Sequence, residues 1–192
     1  MMSSLAGVAF SQNPFRWNSK IRREDGFLRM VWGFGTRAVD RVSNDYPRLI
    51  ALSHPQLRPE TSTKAIRQYS QWYIDVIDIQ ENIFKTLHVS DILDEKYPYL
   101  RYIASVHRDE YLQEIFSTAS LQHEDEFILT FNGLTKDRRF INLMRTALQR
   151  LEETYQRPVD VEFAIDILPG YPQTEYRLHV LQCRPLSQRA ED

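Results

Sequence analysis

Four polar residues near the end of the chain combine metal-binding with phosphate-binding chemistry. Asp160 and Glu162 alternate with apolar residues, and Gln182 and Arg184 are spaced in the same way further along. Alternation places both members of each pair on one face of a strand. A hairpin joining the two strands would bring Glu162 beside Gln182 and Asp160 beside Arg184. Carboxylate and amide oxygens suit Mg²⁺, and a guanidinium matches phosphate oxygens, so the group predicts a site for Mg²⁺ carrying a polyphosphate.

Each of the four residues has a predicted role in this site. Glu162 and the amide oxygen of Gln182 are the predicted metal ligands. Arg184 would hold phosphate oxygens, because phosphoryl transfer depends on positioning and on neutralising charge. Asp160 would lie behind the metal or hold Arg184 in place. The same spacing also fits a solvated sheet face with two ordinary cross-strand pairs, and the residues alone leave both interpretations open.

The segments that must position these residues follow recognisable patterns. Two alternating runs, 160–166 and 176–185, predict half-buried strands joined by a turn that contains Pro and Gly. Before them, residues 127–131 predict another strand. Apolar residues at helical spacing predict a long helix over about 135–155, with Thr135 as its N-cap.

The rest of the chain predicts short strands with few helices. Residues 59–125 are less regular than the remainder, and Ser90 is a predicted helix N-cap within them. The pattern favours an α+β fold with a mainly antiparallel sheet, in one domain over residues 1–192. Further strands are predicted at 5–10, 27–32, 49–52, 69–79, 83–89 and 99–106.

Amino-acid composition limits the binding partners and the cellular compartment that we expect for the protein. The chain has 192 residues, of which 42% are hydrophobic and 26% charged, with a net charge of −2. The chain has no excess of basic residues of the kind that would indicate binding to nucleic acid or to an anionic membrane. No apolar run approaches the roughly 20 residues that span a bilayer. A single cysteine, Cys183, excludes an internal disulfide, so we expect a cytoplasmic protein.

Other polar residues favour structural roles over chemistry. Cys183 alternates away from Gln182 and Arg184, so we expect it to pack inward. Surface or packing positions without metal-ligand spacing are predicted for the histidines, His54, His88, His107, His123 and His179. A surface salt-bridge network is favoured over phosphate binding for Arg37, Arg41 and Arg48 with Asp40 and Asp45.

Three blocks resemble the nucleotide-binding domain of phosphoenolpyruvate synthase and pyruvate phosphate dikinase, an ATP-grasp fold. Residues 6–14 resemble the family's Gly-Val-x-Phe-(Ser/Thr)-x-x-Pro strand and turn, and residues 31–39 resemble its Gly-Leu-Gly-Glu-x-x-Val segment. Residues 158–164 with 181–185 resemble its linked Pro-x-Asp-(Ile/Val)-Glu-(Trp/Phe)-Ala and Leu-Gln-x-Arg-Pro motifs. Together these blocks span nearly the whole chain, while the middle matches poorly.

The resemblance implies ATP and Mg²⁺ as ligands. It assigns Glu162 and Gln182 to the metal and the ATP phosphates, and Arg184 to phosphate, with Asp160 close by. Family members phosphorylate a histidine on a separate domain, and a further domain passes the phosphoryl group to pyruvate. Relatives with the same nucleotide module phosphorylate other acceptors, so another acceptor remains open.

Two departures from the family pattern shape the expectation for this chain. Thr36 stands where the family usually has Glu after Gly-x-Gly. The chain also begins at the second half of the ATP-grasp unit, without the lysine and arginine of the first half. We therefore expect a fragment that neither turns over ATP nor binds it tightly alone. We expect its partners to be the first half of the ATP-grasp unit, the phosphohistidine domain and the pyruvate domain. Whether the protein forms a homodimer is left open. A non-catalytic nucleotide-sensing or interaction module is the rival interpretation.

Overall fold

The structure is a computed structural model that describes residues 5–39, 45–122 and 124–186. Within them the strands are β1 Leu5–Phe10, β2 Phe27–Trp32, β3 Arg48–Ala51, β4 Tyr73–Asp78, β5 Ile83–His88, β6 Ala104–Arg108, β7 Tyr111–Glu114, β8 Glu126–Leu129, β9 Val159–Leu168 and β10 Glu175–Pro185. The α-helices are α1 Thr36–Val39, α2 Thr63–Gln68, α3 Leu100–Ile103, α4 Asn132–Lys136 and α5 Arg138–Tyr155. Short 3₁₀ turns occupy Arg23–Asp25, Val89–Asp91 and Thr118–Ser120.

The largest sheet has five strands in the order β10-β9-β1-β2-β3, and every neighbouring pair is antiparallel. One face of this sheet, which includes Met30 and Phe163, packs into the main core together with residues of α5 such as Phe140 and Met144. The opposite face carries a smaller apolar cluster in which Ala38 of α1 covers Val8 and Val31. Glu162 lies opposite Val8 and therefore on the α1 face. The α+β, mainly antiparallel fold expected from the sequence is confirmed.

Helix α5 begins one turn later than the sequence analysis placed it. Thr135 lies in the separate helix α4, where its hydroxyl donates to the carbonyl of Asn132. The N-cap of α5 is Asp137, whose carboxylate accepts from the backbone N–H of Arg139 and from the hydroxyl of Tyr176 at 2.7 Å. Asp137 thus fixes the helix start to β10. Among the described residues, no helix is long and apolar enough to cross a membrane.

Two small sheets replace the irregular middle that the sequence suggested. Strands β4 and β5 form a hairpin, and β7-β6-β8 form a three-stranded antiparallel sheet. The strand predicted over 99–106 is wrong in its first half, where the chain forms α3 before entering β6. Ser90 is also not a helix N-cap, because it lies inside a 3₁₀ turn capped by His88. Short apolar runs do not distinguish helix from strand without their tertiary partners.

Gly7 allows β1 to fit between its two neighbouring strands. A Cβ atom there would overlap the carbonyl oxygen of Arg29 on β2 and touch the ring of Phe163 on β9. We expect Gly7→Ala to lower the free energy of unfolding by about 1–3 kcal/mol, because backbone in a sheet centre cannot move aside. Urea denaturation measures this change.

Gly35→Ala is the matched control for Gly7→Ala. A Cβ atom at Gly35 would meet only the Cβ of Ala6, at an ordinary contact distance of 3.6 Å. We expect the free energy of unfolding to change by less than about 0.5 kcal/mol. Equal effects of the two substitutions would contradict the close packing assigned to Gly7.

Candidate functional site

Strands β9 and β10 pair the four candidate residues as the sequence analysis expected. Glu162 lies directly opposite Gln182, and Asp160 lies directly opposite Arg184. Directly opposed residues of antiparallel strands share a face, so the four side chains stand on one side of the sheet. The register shifts between Val180 and Gln182, which marks a β-bulge at this point of β10. The sequence analysis did not predict the bulge.

The ionic contacts within this group are long. Nε of Arg184 lies 3.4 Å from Oδ1 of Asp160, and Nη2 lies 3.5 Å from Oδ2. The same Nη2 is 3.7 Å from Oε1 of Glu162. Arg184 is 54% exposed at its side chain, and exposed pairs of this length contribute little to stability. Within the described residues the Gln182 side chain makes no hydrogen bond, so its amide oxygen is available to a ligand.

A groove of about 470 Å³ borders the Glu162 side of this group. Its wall is mostly apolar, and Glu162 is its one acidic lining residue among the described residues. Grooves of this kind, apolar with a few converging polar groups, are typical of small-molecule sites. The lining residues are Gly7, Phe34, Gly35, Thr36, Val39, Ile77, Phe84, Glu162, Phe163 and Leu181.

The wall opposite Glu162 depends on the turn between β2 and α1. Gly33 has φ 89°, a left-handed conformation that L side chains rarely adopt. A Cβ atom at Gly33 would also lie 2.5 Å from Cγ1 of Ile74, so the turn and the β4–β5 hairpin press closely together. The Gly33 turn is therefore a tight packing turn, and it brings Thr36 to the groove.

Thr36 and Arg37 are held by a buried carboxylate from β4. The hydroxyl of Thr36 donates to Oδ2 of Asp75 at 2.6 Å, and the hydroxyl of Thr86 donates to Oδ1 at 2.7 Å. Nη2 of Arg37 donates to Asp75 at 3.2 Å, and Nη1 donates to Asp45 at 2.9 Å. This cluster, called here the Arg37 network, joins α1 to the hairpin whose Ile77 and Phe84 line the groove.

The predicted surface salt-bridge network is wrong for the described residues. Arg37, Asp45 and Arg48 are all buried. Arg37 bridges two carboxylates in the interior, and Arg48 takes no part in that network. Arg41 and Asp40 lie outside the described residues. The distant strand β4 supplies the second carboxylate, and local spacing could not indicate it.

The two acids of the Arg37 network respond differently to their surroundings. Burial raises the pKa of Asp45, and the backbone N–H of Trp72 and the Arg37 guanidinium only partly offset this effect. Burial also opposes ionisation of Asp75, but hydrogen bonds from Thr36 and Thr86, together with Arg37, hold the pKa of Asp75 below its usual value. Asp75 is therefore the firmly ionised partner of Arg37.

The remaining sequence candidates have structural contacts. His107 bonds to Glu126 and His179 to Asp166, each at 2.9 Å, and His88 stacks on Trp72. His123 lies outside the described residues. Cys183 is half-buried against the core, as expected. The described part of the chain holds no cluster of three or more His, Cys, Asp or Glu residues arranged for a metal.

The fold and this polar strand pair define an ATP-grasp-like domain of α+β type. The whole chain, residues 1–192, matches the family described as pyruvate phosphate dikinase, AMP/ATP-binding domain, and the chain belongs to that family. The expected family membership is therefore confirmed. The chain is an AMP/ATP-binding part of a pyruvate phosphate dikinase-like enzyme. No curated protein shows a significant match to it.

Sequence reasoning missed the hairpin residues that line the groove and the hairpin acid that holds Thr36. Asp75, Ile77 and Phe84 come from the middle segment, which carried no recognised motif. One signal was present, because Asp75 interrupts the apolar run of β4 between Ile74 and Val76. An acid at such a position indicates a buried partner, but it does not identify Arg37 as that partner.

We predict that Asp75→Asn destabilises the protein by about 2–4 kcal/mol, because the substitution leaves the buried Arg37 with one carboxylate instead of two. The folded pKa of Asp75 lies below the ordinary value for an aspartate. Its contribution is therefore complete above that ordinary value and is lost as pH falls through the folded pKa.

The measurement is the free energy of unfolding by urea from pH 7 down to pH 3. The difference between wild type and Asp75→Asn should shrink in the most acidic samples. Asp91→Asn is the control, because Asp91 is exposed on a 3₁₀ turn. An Asp75→Asn protein as stable as the Asp91→Asn protein would remove the ionic role of the network.

Proposed function

We propose that Asp160, Glu162, Gln182 and Arg184 form the site for Mg²⁺ and the phosphates of ATP. The supporting observation is the pairing of Glu162 with Gln182 beside the groove, with Arg184 reaching both Asp160 and Glu162. The two oxygen donors fit Mg²⁺, which takes few protein ligands and completes its shell with water and phosphate. Bound there, the metal would neutralise charge on the transferred phosphoryl group.

Each side chain then has a distinct task. Glu162 and Gln182 supply the protein ligands of the metal. Arg184 binds phosphate oxygens, since its guanidinium is exposed and only loosely paired. Asp160 orients Arg184 from the opposed position on β9. The apolar wall that includes Phe84 and Leu181 excludes water from one side of the bound nucleotide.

We propose that the full-length protein is a phosphoenolpyruvate synthase-like phosphotransferase of the cytoplasm. In this scheme residues 1–192 form one domain, which works with a first ATP-grasp half, a phosphohistidine domain and a pyruvate domain. Arg184 is the one cation among the four proposed residues, so we expect further cations to come from the first half. A homodimer stays a prediction.

A non-catalytic nucleotide-sensing module is the second candidate, and one observation favours it. Thr36 replaces the glutamate expected after Gly-x-Gly, and its hydroxyl is already committed to Asp75. The two candidates separate in a product assay. Full-length protein incubated with ATP, Mg²⁺ and pyruvate gives AMP and phosphoenolpyruvate if it is the proposed enzyme. AMP without phosphoenolpyruvate indicates another acceptor, and no AMP supports the sensing module.

We expect Glu162→Ala and Arg184→Ala to abolish AMP formation by the full-length protein while leaving it folded. The loss should reach about 10²–10³-fold, as for removal of a group that stabilises transition-state charge. Arg177→Ala is the matched control, because Arg177 is an exposed arginine further back on β10, opposite Asp166. Retained activity in both site variants would remove the group from the mechanism.

We also predict weak nucleotide binding by residues 1–192 alone. Of the four proposed residues, Arg184 is a cation and both Asp160 and Glu162 are acids, so the site lacks the positive charge needed to hold a triphosphate. Isothermal titration of MgATP into this chain should give no heat of micromolar binding. Micromolar affinity would contradict the need for a first half.

A further inference from the structure

Three arginines surround the turn that follows β3. We call residues 52–58, with Arg48 and Arg145, the arginine turn. Nη2 of Arg48 lies 3.5 Å from the carbonyl oxygen of Pro55, and Nη2 of Arg145 donates to the carbonyl of Leu52 at 2.7 Å. Arg48 is 5% exposed, and the Arg58 side chain is 11% exposed. Cationic side chains are almost never buried to this degree without partners.

The charges of the arginine turn are not balanced. Among the described residues, these three arginines make a single ion pair, in which Nε of Arg58 lies 3.6 Å from Oε2 of Glu60. Burial, followed by repulsion from Arg58, lowers the pKa of Arg48 to about 9, and Glu60 opposes this shift. Arg48 is still protonated at neutral pH. Three guanidinium groups and one carboxylate leave an excess of two positive charges.

Most of the unpaired buried polar atoms in the described part of the chain belong to this turn and its arginines. Among the described residues these atoms have no hydrogen-bond partner, although they are closed to solvent. Folded proteins satisfy most such groups with protein, water or an ion. The atoms are Nε and Nη1 of Arg48, Nε and Nη1 of Arg58, Nε of Arg145, Oγ of Ser53 and Nδ1 of His54.

We propose that the arginine turn is a binding site for a tetrahedral oxyanion of the phosphate class. A guanidinium presents N–H groups in a planar fork that matches two oxygens of one phosphate. A phosphate dianion would cancel the excess of two positive charges and would accept from the unpaired donors. The donors are closed to solvent, so the anion enters when the turn opens. Two backbone bonds hold its tip, from His54 to Ala51 and from Leu57 to His54.

This site is separate from the groove beside Glu162. Strand β3 forms the edge of the five-stranded sheet opposite to β10. Arg48 lies opposite Met30, whose side chain belongs to the main core on the α5 face. Glu162 lies on the other face, opposite Val8. The oxyanion site therefore does not depend on the proposed binding of Mg²⁺ and ATP at the other edge.

Thermal unfolding of the protein in phosphate and in chloride at equal ionic strength tests the proposal. We expect inorganic phosphate at about ten times its Kd to raise the Tm by about 3–6 °C over chloride. Arg48→Met should abolish this rise, and Arg184→Ala should keep it, because Arg184 lies at the other site. Sulfate should act like phosphate, since both are tetrahedral dianions. Repeating the measurement with AMP in place of phosphate distinguishes a site for the free anion from a site for a phosphate monoester.

A second variant and a direct titration guard against misfolding of Arg48→Met. Arg58→Met removes the neighbouring guanidinium and should also abolish the phosphate effect, while near-ultraviolet circular dichroism reports the fold. Calorimetric titration of phosphate into the wild-type protein should give one site per chain. An equal Tm rise in wild type and Arg48→Met, or none in wild type, would overturn the proposal. A rise lost in Arg184→Ala alone would assign the effect to the groove instead.

Discussion

The register between β9 and β10 determines which polar side chains share one face of the sheet. Side chains of a strand alternate between faces, so a slip of one residue moves every side chain to the other face. The bulge between Val180 and Gln182 makes such a shift inside β10. Before the bulge, Leu178 lies opposite Ile165 and packs toward the core. After the bulge, Gln182 lies opposite Glu162 on the other face.

Strict alternation would give β10 a different surface. Leu178, Val180 and Gln182 are separated by two residues each and would then share the core face. The extra residue, Leu181, prevents this and leaves its own side chain at the groove. Bulges are enriched beside functional sites because they redirect side chains in this way. The four polar residues thus reach one face through a local irregularity of the strand.

Some of this arrangement follows from the sequence, and some of it does not. Period-two alternation identified β9 and β10, β1 and β2 were read as short strands, and the paired spacing of two acids with Gln182 and Arg184 identified the candidate group. The bulge has no such signature, and neither has the contact between Arg37 and Asp75. Those features depend on segments that are distant in sequence, and α3 was misread because short apolar runs are ambiguous. The Asp137 cap was missed because Thr135 offered an equally good N-cap.

The Arg37 network and the residues around Arg184 differ in how tightly they are paired. This difference distinguishes residues with a structural role from residues proposed to bind a ligand. Arg37 is buried and lies 2.9 Å from Asp45, so separating that pair would leave an uncompensated charge in the interior. Arg184 is half exposed and no closer than 3.4 Å to an acid. Exchanging its contacts for phosphate oxygens removes little existing stabilisation. The Arg37 network therefore holds the groove wall in place, and the loosely paired residues are the ones proposed to engage a metal and an anionic ligand.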